Sequence, residues 1–275
     1  MSLSLCSFSS GSSGNCYLIK TEKAAVLIDA GITSKRILGE LKRADISPEK
    51  VRALFLTHEH HDHINGARVL LKQIKEAICF ASKGTFEQVI ERDKYSQYSF
   101  GKEIAERRRV SIAPNEAIQI EDLTVRAFRT SHDAADPYSY HITSGAKRIA
   151  LITDTGVATE EMLDYVSDAD ILVLESNHDT DLLRLGRYHP SLKRRILGDY
   201  GHLSNAQAAE ALLRIFELHS KKRIVLLAHL SDENNDPVIA ERTVLTALAK
   251  KNRYTGSDLY LGVLLRDEAS LIYRI

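Results

Sequence analysis

The segment Thr57-His58-Glu59-His60-His61-Asp62-His63 gathers four imidazoles and two carboxylates into seven residues. Imidazole nitrogen and carboxylate oxygen suit zinc, manganese or iron. The chemistry open to such a group is metal-assisted hydrolysis, in which an ion makes water nucleophilic near neutral pH. Residues two apart in extended backbone point the same way, so His58 and His60 can grip one ion together. Asp62 and His63 fall where the chain turns into a helix and can reach a second ion. One segment cannot fill two metal sites, and three further places offer ligands. Leu123–Thr130 runs into His132, Arg148–Thr153 into Asp154, and Ile224–Ala228 into His229. Each alone reads as a cap or turn residue. Together, each closing an apolar run, they read as one ligand set. Asp29, before Ala30-Gly31, is another strand-end acid, expected either to orient a ligand histidine or to form a turn.

These residues need elements that bring them to one place. Val51–Leu56 is an apolar strand that runs straight into the histidine cluster. Ligands then sit at a strand's C-terminal edge, where open α/β sheets usually place their sites. Short β-branched segments predict strands at Leu3–Phe8, Cys16–Lys20, Ala25–Asp29, Ala53–Thr57, Ile78–Ala81, Leu123–Arg129, Ser139–Thr143, Arg148–Thr153, Ile171–Glu175 and Ile224–Ala228, with two more near Leu259–Leu265 and Ser270–Tyr273. Helical periodicity and caps predict helices at Thr33–Ala44, Ile64–Glu76, Gly84–Arg92, Glu160–Val166, Ser204–His219 and Pro237–Lys250. Tyr95–Asn115 is the least regular stretch and is expected to be a loop or insertion. The order of elements suits an α/β protein with two mixed sheets covered by helices. There is no repeat and no Pro/Ser-rich linker, so one domain over 1–275 is expected.

Composition narrows the class. With 44% hydrophobic residues, 275 residues are ample for a large core. No apolar run approaches the roughly 18 residues of a membrane helix, and the first residues lack the basic and apolar segments of a secretory signal. Cys6, Cys16 and Cys79 form no C-x-x-C pair, which fits reduced thiols in a cytoplasmic protein. Lys+Arg and Asp+Glu both number 37, which argues against coating nucleic acid by bulk charge but leaves a local basic surface open. The runs Arg107-Arg108-Arg109, Lys193-Arg194-Arg195 and Lys221-Lys222-Arg223 read either as solvated ends of elements or as such a surface.

His58, His60, Asp62 and His63 form an H-x-H-x-D-H motif that resembles the metallo-β-lactamase-fold hydrolases. His132, Asp154 and His229 match that family's later motifs in order. The resemblance implies a four-layer αββα sandwich with two divalent ions. It puts His58, His60 and His132 on one ion, and Asp62, His63 and His229 on the other, with Asp154 bridging and His61 a spacer. Only 75 positions separate Asp154 from His229, too few for the extra domain that β-CASP nucleases insert there.

Gly201-His202-Leu203-Ser204-Asn205 is similar to the tRNA-processing RNase Z branch, where the matching histidine pairs with a glutamate and assists the leaving group. Glu175 is the candidate partner here; capping or packing for His202 and a surface position for Glu175 are the alternatives. Asp62 counts with these two among the groups expected to take part in catalysis. Three segments together, Ser9–Asn15, Glu175–Asp179 and Gly201–Asn205, resemble the YycJ/WalJ family of bacterial metallo-hydrolases. That resemblance implies manganese-supported 5′-to-3′ exonuclease activity on duplex DNA ends, in DNA repair, with a hydroxide held between two ions (Mn2+ or Zn2+, with Fe open) attacking phosphorus. Ser13, Asn15, Asn177 and Ser204 are the expected substrate contacts, although a Gly/Ser loop is also an ordinary turn. His178 and Asp179 read as supporting, substrate-facing or simply solvated.

Three other readings compete. Hydrolysis of a small ester, thioester or lactam needs the same ligands but no basic groove. An RNase Z-like RNA nuclease should carry a tRNA-binding arm, and no such arm is evident. A non-catalytic metal-binding regulator fits poorly with a full ligand set. A basic surface clustered beside the metals would favour DNA, and a dispersed one a small molecule.

Overall fold

The computed structural model describes residues 2–275. The first sheet is built by β1 (Ser4–Ser9), β2 (Cys16–Lys20), β3 (Ala25–Ile28), β4 (Val51–Phe55), β5 (Ile78–Ala81) and β6 (Arg109–Ser111). The second is built by β7 (Ala117–Ile120), β8 (Leu123–Arg129), β9 (Tyr138–Ser144), β10 (Lys147–Ile152), β11 (Ile171–Glu175), β12 (Arg223–Ala228) and β13 (Leu259–Val263). A last strand, β14 (Tyr273–Arg274), returns to the first sheet beside β1. The strand orders are β14-β1-β2-β3-β4-β5-β6 and β13-β12-β11-β10-β9-β8-β7. In each sheet one half is antiparallel and the other parallel: β3 to β6 run parallel, as do β10 to β13.

Side-chain alternation explains why the two sheets lie face to face. In β3, Val26 and Ile28 point into the layer between the sheets, and Ala25 and Leu27 point outward. In β11, Ile171 and Val173 point inward, and Leu172 and Leu174 outward. The inner layer is locked by Phe55, stacked on Phe80 at 4.8 Å and edge-on to Tyr140 at 5.3 Å. Strands apolar on both faces must be covered twice. Helices α1 (Ser34–Arg43), α3 (Ala67–Leu71), α4 (Lys83–Arg92) and α5 (Phe100–Glu103) cover the first sheet. Helices α6 (Glu160–Val166), α9 (Asn205–Leu218) and α10 (Pro237–Ala249) cover the second. The result is the four-layer αββα sandwich.

Several elements differ from expectation, among them β7, a strand not expected from the sequence. The single helix expected over Ile64–Glu76 is broken into α2 (His61–Ile64) and α3. Gly66 sits at the break, where its backbone N–H donates to the Ala30 carbonyl at 2.7 Å. A Cβ there would meet the Ile32 carbonyl oxygen at 2.1 Å. The chain therefore kinks around the β3–α1 loop, and Asp62 and His63 lie on a one-turn helix. The stretch expected to be an irregular loop or insertion holds α5 and β6, and β6 extends the first sheet. Arg108 anchors it by donating to the carbonyls of Leu71, Ile74 and Ala77. Two short helices not expected at all, α7 (Thr180–Leu185) and α8 (Pro190–Leu197), lie between β11 and His202. Between Asp154 and His229 the described residues form α6, β11, α7, α8, α9 and β12, with no inserted domain.

Candidate metal centre

Strands β3, β10 and β12 each leave their sheet just before Asp29, Asp154 and His229. All three residues adopt left-handed backbone, with φ of 60°, 57° and 56°. Such conformations cost a non-glycine residue of order 1 kcal/mol or more and persist where surrounding contacts over-determine them. At each strand end the kink turns a polar side chain back over the sheet edge. His58 and His60 continue from β4 into the same space. The Tyr140 hydroxyl donates to the Leu56 carbonyl at 2.6 Å and the Tyr138 N–H to that of Thr57 at 2.9 Å, so the second sheet fixes the start of the histidine loop.

Two triads of potential ligand atoms result: His58, His60 and His132, and Asp62, His63 and His229. Within each set the atoms lie within 4.8 Å of one another. Asp154 reaches both, with Oδ2 3.4 Å from His63 Nε2 and Oδ1 3.9 Å from His132 Nε2. The hydrogen bonds select which ring nitrogen faces the centre. His63 Nδ1 lies 2.7 Å from the Asp29 carboxylate, His132 Nδ1 is 3.1 Å from the Gly201 carbonyl, and His58 Nδ1 is 3.0 Å from the Thr57 hydroxyl. Each Nε2 lone pair is thereby turned toward the cleft. His58 Nε2, His229 Nε2 and Asp154 Oδ2 are buried with no protein partner. A buried polar atom without a partner is costly, and one in each triad, with a third on Asp154 which reaches both, fits bound cations.

The electrostatics agree. Burial, and then the neighbouring His63, His132 and His60, push His58 well below its ordinary value and keep it neutral. Burial likewise lowers His132. The other triad behaves oppositely. Burial opposes the charged form of His229, but Asp154, Asp62 and Glu175 outweigh it and raise it to about 10. His63 is raised for the same reason by Asp154, Asp62 and Asp29. The acids around these two rings thus call for positive charge, which a divalent cation supplies.

His202 and Glu175 meet at the rim. Glu175 is fully buried, and its Oε1 lies 2.7 Å from His202 Nδ1 and 3.0 Å from His229 Nδ1. Its Oε2 accepts the Thr155 N–H at 2.9 Å. Burial opposes ionisation of Glu175, but His202 and His229 more than reverse that and hold its carboxyl well below the usual range. His202 lines the cleft and is partly exposed, with Nδ1 committed to Glu175. Gly201 precedes it because a Cβ there would meet the Ile196 carbonyl oxygen at 2.2 Å.

The expected substrate contacts divide. Asn177 lines the cleft, and its amide donates to the His229 carbonyl at 2.9 Å. Asn15 is fully buried and braces the centre, with its amide 3.1 Å from His63 Nε2. Ser13 is exposed and outside the lining, where Ser12 stands instead. Ser204 is buried and its hydroxyl is spent in a capping box with Gln207 at the start of α9, so it does not offer a substrate contact. Asp179 caps α7. His178 is buried, not solvated, and neither ring nitrogen has a partner.

Several positions here were not expected from sequence. The Thr57 hydroxyl sits between Asp29, His58 and His63. The Ser10 hydroxyl accepts the His229 N–H at 2.9 Å. Tyr188, Leu192, Arg195 and Ile196 form one wall of the cleft. Only chain crossings far apart in sequence create these contacts, so no local pattern marks them. Of the three basic runs, only Lys193-Arg194-Arg195 contributes a residue to the cleft lining, Arg195. Arg108 is spent on carbonyls, and Arg223 is buried, donating to the Ser167 and His219 carbonyls at the opposite end of β12.

Comparison with known proteins agrees with this fold. Residues 24–230 match the family model described as the beta-lactamase superfamily domain. Exodeoxyribonuclease WalJ of Streptococcus pneumoniae is 37% identical over 249 residues, covering 90% of this chain and 89% of that protein. Exodeoxyribonuclease YycJ of Bacillus anthracis is 34% identical over 251 residues, covering 91% of both. Among solved structures, unliganded yeast PDE1 superposes with a TM-score of 0.73 at 15% identity, over 98% of this chain and 99% of that one, a likeness of fold. With the fold and relatives across nine-tenths of its length in agreement, this chain is a metal-dependent hydrolase that belongs to the β-lactamase superfamily, in the family of the WalJ and YycJ proteins.

Proposed function

We propose that this protein is a two-metal phosphodiesterase, a 5′-to-3′ exonuclease acting on duplex DNA ends in DNA repair, with residues 1–275 working as one domain. The carrying observation is the His202–Glu175 pair, 2.7 Å apart beside the two triads. General acid assistance matters most where an alkoxide must leave, as in phosphodiester cleavage. The names of the two relatives, both exodeoxyribonucleases, support the same reading.

His58, His60 and His132 would hold one ion, Asp62, His63 and His229 the other, and Asp154 both. Mn2+ and Zn2+ suit this mixed nitrogen and oxygen set, with Fe a further fit. Bound there, the ions supply Lewis acidity: they lower the pKa of water to about 7 in favourable sites and offset charge on phosphoryl oxygens. The protein does the rest. Asp29 fixes the tautomer of His63, and Gly201 that of His132. The Glu175 carboxylate accepts from Nδ1–H of His202 and, as an anion, supports the doubly protonated ring, whose Nε2–H would be given to the departing 3′-oxygen. Asn177 and Ser12 border the space left for the phosphate.

Hydrolysis of a small ester or thioester is the second reading, favoured by the two basic runs that lie away from the cleft. Purified protein of measured metal content, given Mn2+, separates the two. Its substrates are 5′-phosphorylated linear duplex DNA, closed circular DNA, precursor tRNA and a thioester. Mononucleotides released from 5′ ends of linear duplex alone support the proposal. Thioester hydrolysis with no cut nucleic acid rejects it.

A further inference from the structure

The cleft over the two triads has two unlike walls. One is made of the polar residues His60, Asp62, His132, Asp154, His202 and His229. The other comes from α8 and the turn before it, through Tyr188, Leu192, Arg195 and Ile196. The space between them is about 220 Å³, below the roughly 300–1,000 Å³ of pockets that enclose a small ligand. It has room for a phosphate and its sugar, with the remainder of a polymer outside.

The segment that supplies the second wall is basic, and Arg195 is its cleft-lining cation. Residues 182–197 contain Arg184, Arg187, Lys193, Arg194 and Arg195 and no acid, in a chain of zero net charge. Lys193 is used internally, donating to the Arg184 carbonyl at 2.6 Å and the Gly186 carbonyl at 2.7 Å, which ties α7 to α8. Arg195 is different. It is half exposed, and its Nε and Nη2 grip the carboxylate of Asp133. Asp133 Oδ1 stands 3.5 Å from Nε2 of His132, a potential metal ligand atom. Two donors of the fork are thus spent on holding the guanidinium at the mouth of the cleft. Nη1 has no such bond to the protein. A planar fork with its position fixed and donors to spare is suited to a phosphate oxygen.

We propose that Arg195 is a substrate-positioning residue: held by Asp133, it binds a phosphate neighbouring the scissile one, while Tyr188 and Leu192 face the terminal sugar and base. The inference rests on the nucleic-acid reading above. It assigns Arg195 to binding, with the reacting bond left to the metals and His202.

The test compares wild type, Arg195→Ala, Arg195→Lys and, as a charge control on the far face of α9, Arg214→Ala. Each is loaded with Mn2+, checked for metal content and melting temperature, and assayed on 5′-phosphorylated duplex DNA over a range of salt. Arg195→Ala should raise KM tenfold or more with kcat within about threefold. It should also flatten the dependence of log KM on log salt by about one, as loss of one phosphate contact does. Arg195→Lys should recover part of KM and all of the salt slope, because it restores the charge without the fork. Arg214→Ala should match wild type. An Arg195→Ala protein with wild-type KM and salt slope overturns the inference alone, as does an equal loss in kcat for both Arg195 variants. Wild-type protein that neither binds nor cuts DNA removes the proposed function and this inference with it.

Discussion

Replacing His202 by alanine tests the chemical step most directly. The His202 ring stands 5.0 Å from the His132 ring and 5.2 Å from the His229 ring, close to both triads without belonging to either. Its removal leaves Glu175 with the Thr155 N–H at 2.9 Å, the Leu203 N–H at 3.3 Å and His229 at 3.0 Å. The buried carboxylate stays satisfied, so the cost to stability should be that of one hydrogen bond to a charged group, about 1.5–3 kcal/mol. The cost to catalysis should be larger. General acid assistance contributes about 10²–10⁴-fold, or about 3–5 kcal/mol of barrier. Two substrates separate this role from a structural one. The 3′-oxygen of DNA leaves as a basic alkoxide and needs the proton, whereas bis(4-nitrophenyl) phosphate expels a stabilised phenolate that does not. His202→Ala should therefore lose about 10²–10⁴-fold in kcat on DNA and less than about tenfold on the nitrophenyl diester, at unchanged metal content. Equal losses on both substrates at full metal content would refute the general-acid role. Glu175→Gln should differ, because Glu175 also holds His229: it should slow both substrates and weaken metal binding.

Asp29→Asn removes the carboxylate that orients His63 and Thr57; metal affinity should fall about 10–100-fold, measured by competition with a chelating dye. Unchanged affinity would reassign Asp29 to the turn alone. Metal stripping by a chelator should abolish hydrolysis yet leave a cooperative melt, because three apolar cores hold the layers without the centre; a chelated protein that unfolds contradicts this. His178 supplies a pH dependence. Burial is the main cause that lowers it from 6.5 to about 4, so the folded state binds fewer protons than the unfolded state between those values. Its contribution is intact above pH 6.5 and is lost as pH falls toward 4, by about 3 kcal/mol in total. His178→Asn should flatten the fall in urea-unfolding stability between pH 7 and pH 4.5; an unchanged slope counts against the assignment.

The sequence by itself determined the layers and the residue types of the centre. Unbroken apolar runs in β3, β11 and β12 require cover on both faces, which suits sheets covered by helices; the four-layer order was implied by the motif resemblance and not by periodicity. The run from β4 into His58–His63 marks a strand-end cluster, because nothing structural calls for four imidazoles after an apolar strand. Other features depended on distant contacts. The break at Gly66 follows from a carbonyl of the β3–α1 loop, and β6 is recognisable only beside β5. Neither has a local signal. The left-handed kinks at Asp29, Asp154 and His229 have none either, since each is held by contacts across the fold. The tautomers, the burial of Glu175 between two histidines and the spending of Ser204 on a helix cap were likewise decided by tertiary structure. So was the separation of the basic runs. Arg108 and Arg223 are drawn inward to backbone carbonyls, and Arg195 is carried to the cleft by a helix that the sequence had not announced. Residue chemistry can be read locally. Which donor finds which acceptor depends on distant chain segments, 219 positions apart for Ser10 and His229, and only the folded chain brings them together.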